Sequence, residues 1–238
     1  YIRERRVSWQ LYSVGPEEFL AALKSRPDAA LTVLTRSRKT QLDAARRSGI
    51  PIVNMLRNLH PHLPSVASDH HAIGAAAADY FLSRGFQHFA FFGTNREWSE
   101  GRLAGFQTRL QKFRHTHLHL HLSLPNEEFR QVSNPRIADA LRKWLPALPR
   151  PVALFAPADY IARPILETCE TLRLHIPDPL ALIGVDNDPA ICELGPVPLS
   201  SIPQNFMRIG FEAARMLDGI MTKRRRPRAP LFVPPRDI

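Results

Sequence analysis

Residues 180–221 read LALIGVDNDPAICELGPVPLSSIPQNFMRIGFEAARMLDGIM. The stretch opens on six apolar residues, from Leu180 through Val185, with no polar alternation, which is how a short strand reads when both its faces are covered. It stops abruptly at Asp186, Asn187 and Asp188. Three polar side chains at the C-terminal end of a buried strand sit where open α/β sheets collect ligands, because helix N-termini and loops converge there. A link punctuated by Pro189, Pro196 and Pro198 leads to a short extended segment over 199–202 and to Gln204. The stretch closes on an amphipathic helix whose apolar positions Phe206, Ile209, Ala213, Met216, Leu217 and Ile220 keep helical spacing. It is expected to supply half of a ligand cleft, and the rest of the chain the other half.

Working outward, strand and helix patterns alternate almost throughout. Strands are expected over 8–14, 29–35, 51–56, 65–68, 88–92, 117–122, 152–156 and 231–233, with helices over 17–26, 37–48, 70–84, 97–113, 135–145 and 159–174. Gly49 and Gly85 follow two helices as C-caps, and Asp69 precedes the alanine-rich helix as its N-cap. This alternation predicts parallel βαβ units with right-handed crossovers.

The chain has 238 residues, enough for one large domain or two lobes with real cores. No apolar run reaches the length of a membrane span, which leaves a membrane partner without support. The formal net charge of +10 points to a polyanionic partner or a tethered nucleic-acid-binding module. Cys169 and Cys192 share no metal-ligand or redox spacing, so they are expected as packed, reduced thiols in a cytoplasmic protein. The chain begins at Tyr1 without Met, inside an expected helix, so it is expected to be part of a longer protein.

Four blocks in order carry a resemblance. They are Ser65-Val66-Ala67-Ser68-Asp69 with the helix and strand to Gly93, Arg102-Leu103-Ala104-Gly105-Phe106, Ala156-Pro157-Ala158-Asp159, and Ile183-Gly184-Val185-Asp186 with residues 198–202 and Gln204. Together they resemble the effector-binding core of LacI/GalR-type regulators, the fold shared with periplasmic sugar-binding proteins. Gly184 to Asp188, the Cys169-Glu170 helix and Phe232 to Arg236 are most similar to bacterial xylose-operon regulators, which carry an AraC-type DNA-binding domain after that core. The resemblance implies an α/β fold of two Rossmann-like lobes with parallel sheets joined by three crossovers. It places the N-terminal lobe at 1–93 plus 204–225 and the C-terminal lobe at 94–203 plus 226–238, with the DNA-binding domain absent from this chain.

The implied function is sensing. A pentose, xylose first, would bind between the lobes and shift open and closed populations to control DNA binding, in a homodimer without cofactor or metal. A periplasmic-type binding protein for transport is the alternative. The implied site residues are Asp186, Arg102, Asp159, Gln204, Trp98, Asn54 and Arg57. A pyranose presents hydroxyls that donate and accept around flat C–H faces, so carboxylates, a guanidinium and an aromatic plane suit it. Four have a plainer reading beside them: Asp186 as a turn residue, Asp159 as a helix cap, Arg102 as a solvated arginine, Trp98 as a packed aromatic. Ala158 stands where the family usually has a polar residue.

Two further patterns favour plain readings. His115, His117, His119 and His121 alternate along one strand face, but no carboxylate or cysteine is interleaved and leucines fill the other face. Lys223 to Arg226 and Arg228 read as a solvated loop. There is no G-x-S-x-G elbow, phosphate loop or H-E-x-x-H helix to suggest an enzyme.

Overall fold

The computed structural model describes residues 1–35, 38–56, 63–114, 116–118, 122–130, 134–195, 197–223, 227 and 229–237. In chain order its elements are α1 (Ile2–Arg5), α2 (Phe19–Lys24), β1 (Ala30–Thr32), α3 (Lys39–Arg47), β2 (Ile52–Asn54) and β3 (Val66–Ser68). Next come α4 (His70–Leu82), β4 (His88–Thr94), α5 (Glu97–Leu110), β5 (His117–Leu118) and β6 (Leu122–Leu124). α6 (Pro135–Trp144), β7 (Val152–Phe155), α7 (Asp159–Thr171) and β8 (Leu180–Val185) follow. The last are α8 (Pro189–Cys192), β9 (Ser200–Ile202), α9 (Phe206–Lys223) and β10 (Leu231–Val233).

These elements form two compact units, Tyr1–Ser68 with Asn205–Val233 and Asp69–Gln204 with Pro234–Ile238. In the first, β1 pairs with β2 and β3 with β10, all parallel, and a bridge between Asn54 and Ser65 joins the pairs. Successive residues of β2 face opposite ways, as the pleat requires. Ile52 enters a cluster with Phe19, Leu23, Leu42 and Ala45 of α2 and α3, while Val53 joins Ile209, Ala213 and Leu217 of α9. Helices therefore cover both faces, which explains why these strands read as apolar runs.

The second unit holds a parallel sheet in the order β5-β4-β7-β8-β9, with β6 also on β4. Alternation again sorts the side chains. Phe89 and Phe91 of β4 pack with Ile73, Phe81 and Phe106 of α4 and α5, and Ala90 and Phe92 pack with Leu141, Ile161 and Ile165 of α6 and α7. Gly74 and Gly105 let α4 and α5 meet backbone to backbone: a Cβ on Gly74 would overlap the Arg102 carbonyl, and one on Gly105 the His71 carbonyl. Asp69 caps α4, accepting from the Ala72 amide at 2.9 Å.

The α/β class with parallel sheets is as expected, but two details differ. Residues 8–14 form no strand; Leu11 and Tyr12 are 71% and 84% exposed, because no described sheet edge accepts their alternation. The strand expected over 117–122 is two short ones, β5 and β6, each on β4, and residues 119–121 lie outside the described set. The chain passes between the two units at Ser68/Asp69, Gln204/Asn205 and Val233/Pro234. Strand pairing sets the first of these passages. β4 lies beside β7, with His88 through Phe91 aligned to Val152 through Phe155, so it and α4 belong to the second core.

Both cysteines are buried thiols without a disulfide. Among the described residues no helix is long and apolar enough to cross a membrane, and no group of three or more His, Cys, Asp and Glu could hold a metal. His117 is exposed and stacks on His88 at 5.6 Å, whereas His115, His119 and His121 lie outside the described residues, as do Arg224 to Arg226 and Arg228.

Candidate functional site

In the second unit the chain leaves β4 for β5 and β6 on one side, while β7 lies on the other. Such a reversal opens a crevice beyond the strands' C-terminal ends. α5 starts from β4 and α7 from β7 at that edge, and β8 and β9 end there too. Trp98 and Arg102 come from α5, Asp159 from α7, Asp186 from the end of β8 and Gln204 from just after β9.

Arg102 is 2% exposed, although arginine is among the residue types least often buried. Its Nη1 donates to the Pro157 carbonyl, and its guanidinium carbon stands 5.1 Å from the centre of the Trp98 ring. Its Nε is buried and has no acceptor among the described residues. Burial pulls the guanidinium down to about 10, opposed by the charge of Asp186 and then by Tyr160 and Asp159, so it stays cationic at neutral pH. A buried donor without an acceptor is costly, and native structures rarely leave one without cause.

Asp186 is held in a strained backbone, φ 115°, a region most L-residues avoid, and Asn187 follows at φ 55°. The Asp186 amide donates to Ile202 O at 3.0 Å, and Gln204 Nε2 donates to its Oδ1. Its Oδ2 has no partner among the described residues. Burial raises the Asp186 carboxyl above the ordinary carboxylate range, Arg102 and the Gln204 bond pull it back, and Asp188 pushes it up again. Trp98 is half-buried beside Arg102. These four expected residues are thus brought to one strand edge.

Two others, Asp159 and Asn54, are not available in the same way. Asp159 is 1% exposed, and both its oxygens have partners: Ser201 Oγ donates to Oδ1 at 2.7 Å, the Asp188 amide to Oδ2 at 2.8 Å, and Cys192 Sγ to Oδ2 at 3.5 Å. Burial and neighbouring Asp159 push the Cys192 thiol up to about 12, so it remains a donor. Asp159 therefore fastens α7 to the β8–α8 turn and to β9 and lies outside the set of open ligand groups. Gly184 is the matching element, because a Cβ there would overlap Asp159 Oδ1.

Asn54 is in the first unit and is fully satisfied. Its Oδ1 accepts from Thr32 Oγ1 at 2.9 Å and the Leu34 amide at 2.8 Å, and its Nδ2 donates to the carbonyls of Leu34 and Leu56. It ties β1 to β2, and the geometry leaves it nothing to offer a ligand. Arg57 lies outside the described residues.

The structure adds Tyr160 and Ser201. Tyr160 is edge-on to Trp98 at 6.4 Å, and Ser201 receives the Asn187 amide at 2.9 Å while serving Asp159. The available signal for Tyr160 was its place directly after Asp159 at a strand-to-helix switch. Ser201 carries no local signal, since its partners are far away in sequence.

One guanidinium, one open carboxylate oxygen and an aromatic plane can recognise a neutral molecule rich in hydroxyls. Among known proteins, the family described as a periplasmic binding protein-like domain matches residues 78–238. The xylose operon regulatory protein of Escherichia coli (strain K12) is 30% identical over 197 residues, covering 78% of this chain and 49% of that protein. The xylose operon regulatory protein of Haemophilus influenzae is 29% identical over 185 residues, 75% and 46% respectively. The chain thus spans about half the length of the curated relatives it matches. Of solved structures, a xylose-binding transcription activator superposes with a TM-score of 0.76 at 23% identity, over 93% of this chain and 63% of that one. A LacI family transcriptional regulator from Enterococcus faecium with bound ribose gives 0.71 at 21% identity, over 92% and 81%.

Proposed function

Because the chain belongs to the periplasmic binding protein-like domain family, we propose that it is the sugar-binding effector part of a transcription regulator. The observation that carries this reading is the placement at one strand edge of Asp186 Oδ2 and the buried Nε–H of Arg102, neither with a hydrogen-bond partner among the described residues, beside the Trp98 ring. Together they provide an acceptor for a hydroxyl proton, a donor for a hydroxyl lone pair and a plane for C–H groups. The names of the two curated relatives support D-xylose as the first sugar to test.

Binding becomes a signal only if the sugar favours one arrangement of the two units over another, since a ligand shifts an equilibrium by its differential affinity alone. Contact with DNA is assigned to residues outside 1–238, in keeping with relatives of which this chain covers about half. Assembly as a homodimer and a cytoplasmic setting, free of membrane, belong to the same proposal. The relatives named above are regulators, and the site is read as one for binding without turnover.

The test is thermal unfolding of the chain with D-xylose, L-arabinose, D-ribose and D-glucose. A sugar present at 100 times its Kd stabilises by about 2.7 kcal/mol. Asp186→Ala is expected to keep the parent's melting temperature without sugar and to lose the sugar-induced rise. A rise of the same size in the variant would sink the assignment.

A further inference from the structure

We propose that Tyr160 is a further ligand-contacting and specificity-determining residue of this site: its oxygen accepts a hydrogen bond from a sugar hydroxyl, and its ring extends the apolar wall begun by Trp98. The proposal rests on the sugar-binding reading and adds a residue that reading does not use.

Asp159 and Tyr160 are the first two residues of α7, and they turn opposite ways. Asp159 is 1% exposed and fully engaged, whereas Tyr160 keeps 38% of its surface open. Exposed aromatics are usually free to change rotamer, but this one is held on three sides. Its ring lies edge-on to Trp98 at 6.4 Å and to Phe129 at 6.2 Å, at interplanar angles of 64° and 80°. Its hydroxyl donates to Asn126 Oδ1 at 3.0 Å. Asn126 is itself placed, because its amide donates to Asn95 Oδ1 at 3.2 Å. The ring is thus pre-organised, which lowers the entropy lost when a ligand packs on it.

The direction of that bond decides what Tyr160 can offer. A phenol has one proton, and here Asn126 receives it, so the oxygen's remaining capacity is as an acceptor. The phenol stays protonated: burial, then the charge of Asp186, pushes it up to about 12 against the pull of Arg102 and Arg96. That Asp186 and Arg102 both act on it puts all three in one electrostatic neighbourhood. Among the described residues the open groups are then two acceptors, on Asp186 and Tyr160, and one donor, on Arg102. Such a set suits a neutral polyol that donates through two hydroxyls and accepts through one. Sugar phosphates and sugar acids are disfavoured, because Asp186 and its neighbour Asp188 repel a second negative charge.

The experiment is calorimetric titration of the parent chain, Tyr160→Phe and Tyr160→Ala with whichever of D-xylose, L-arabinose, D-ribose and D-glucose the parent binds, and with the mono-deoxy analogues of that sugar. Melting of each unliganded protein is measured alongside. Tyr160→Phe is expected to melt with the parent and to bind the sugar about two- to ten-fold more weakly. That penalty should vanish for the single deoxy analogue lacking the hydroxyl whose proton Tyr160 accepts. Tyr160→Ala, which also loses the ring, should bind on the order of 10- to 100-fold more weakly. Equal affinity of parent and Tyr160→Phe overturns the proposal, and so does one penalty shared by every analogue. A parent that binds none of the four sugars removes the sugar-binding reading and this proposal together, so the parent titration tells the two failures apart.

Discussion

At the C-terminal end of β2 the first unit buries Asn54, and within the first turns of α5 the second unit buries Arg102; they are 0% and 2% exposed. The Asn54 amide has partners for its oxygen and its nitrogen, all from its own unit. Among the described residues Arg102 gives one bond, to Pro157 O, and keeps a buried Nε–H without an acceptor. A closed set of this kind makes a strut, whose value is stability. An open set costs stability while empty and is worth keeping where a ligand closes it. The same contrast recurs inside the second unit, between Asp159 with its three donors and Asp186 with one oxygen open on a strained backbone.

Removing one member from each side should break the contrast most visibly. Asn54→Ala leaves the Thr32 hydroxyl and the Leu34 amide and carbonyl without partners, and is expected to cost about 3 kcal/mol in urea unfolding. Arg102→Met removes a charge that burial disfavours, and is expected to stay within about 1 kcal/mol of the parent. Its sugar affinity, measured by calorimetry, should fall by about 100-fold or more. If Arg102→Met unfolds as readily as Asn54→Ala, the arginine is a strut as well.

Gly184→Ala tests the fastening of Asp159. The new Cβ would meet Asp159 Oδ1, so either β8 or the carboxylate must shift. A loss of about 2 kcal/mol is expected by chemical denaturation, with the thermal response to sugar reduced but present. A variant as stable as the parent would show that Asp159 moves at little cost.

The smallest effect is with pH. Burial raises the folded-state carboxyls of both Asp159 and Asp186. A group that holds its proton more tightly when folded makes the folded state less stable as pH rises through the window between its unfolded and folded values, and returns that stability as pH falls back. The unliganded protein should therefore gain a little stability, relative to an Asp186→Asn variant, as pH drops from neutral into the carboxylate range. Sugar affinity should decline over the same window, because a protonated Asp186 is a poorer acceptor. A sugar affinity flat across that window would show that Asp186 is not the acceptor.

Much of the fold was legible because periodicity reports burial. The uninterrupted run at 180–185 became β8, the helical spacing from Phe206 became α9, and Asp69 caps α4 as its position suggested. Residues 8–14 misled for the same reason, since alternation signals a strand only where an edge exists to pair with. Neither α4 nor β4 says locally which sheet it joins. That is settled by pairing with β7, which lies far along the chain.

For the site, the sequence alone determined the residue types and their strand-end positions: Asp186 after a buried strand, Arg102 and Trp98 one helical turn apart, and Gln204 after β9. Tertiary structure decided which of the candidates remain open. Asp159 is engaged by Ser201 and Cys192, Asn54 by Thr32, and Tyr160 is aimed by Asn126, each across 22 to 42 residues of chain. Local patterning is written within a few residues and so survives in the sequence. Hydrogen-bond saturation depends on groups that only folding brings within 3 Å or so, and there the choice between strut and ligand site is made.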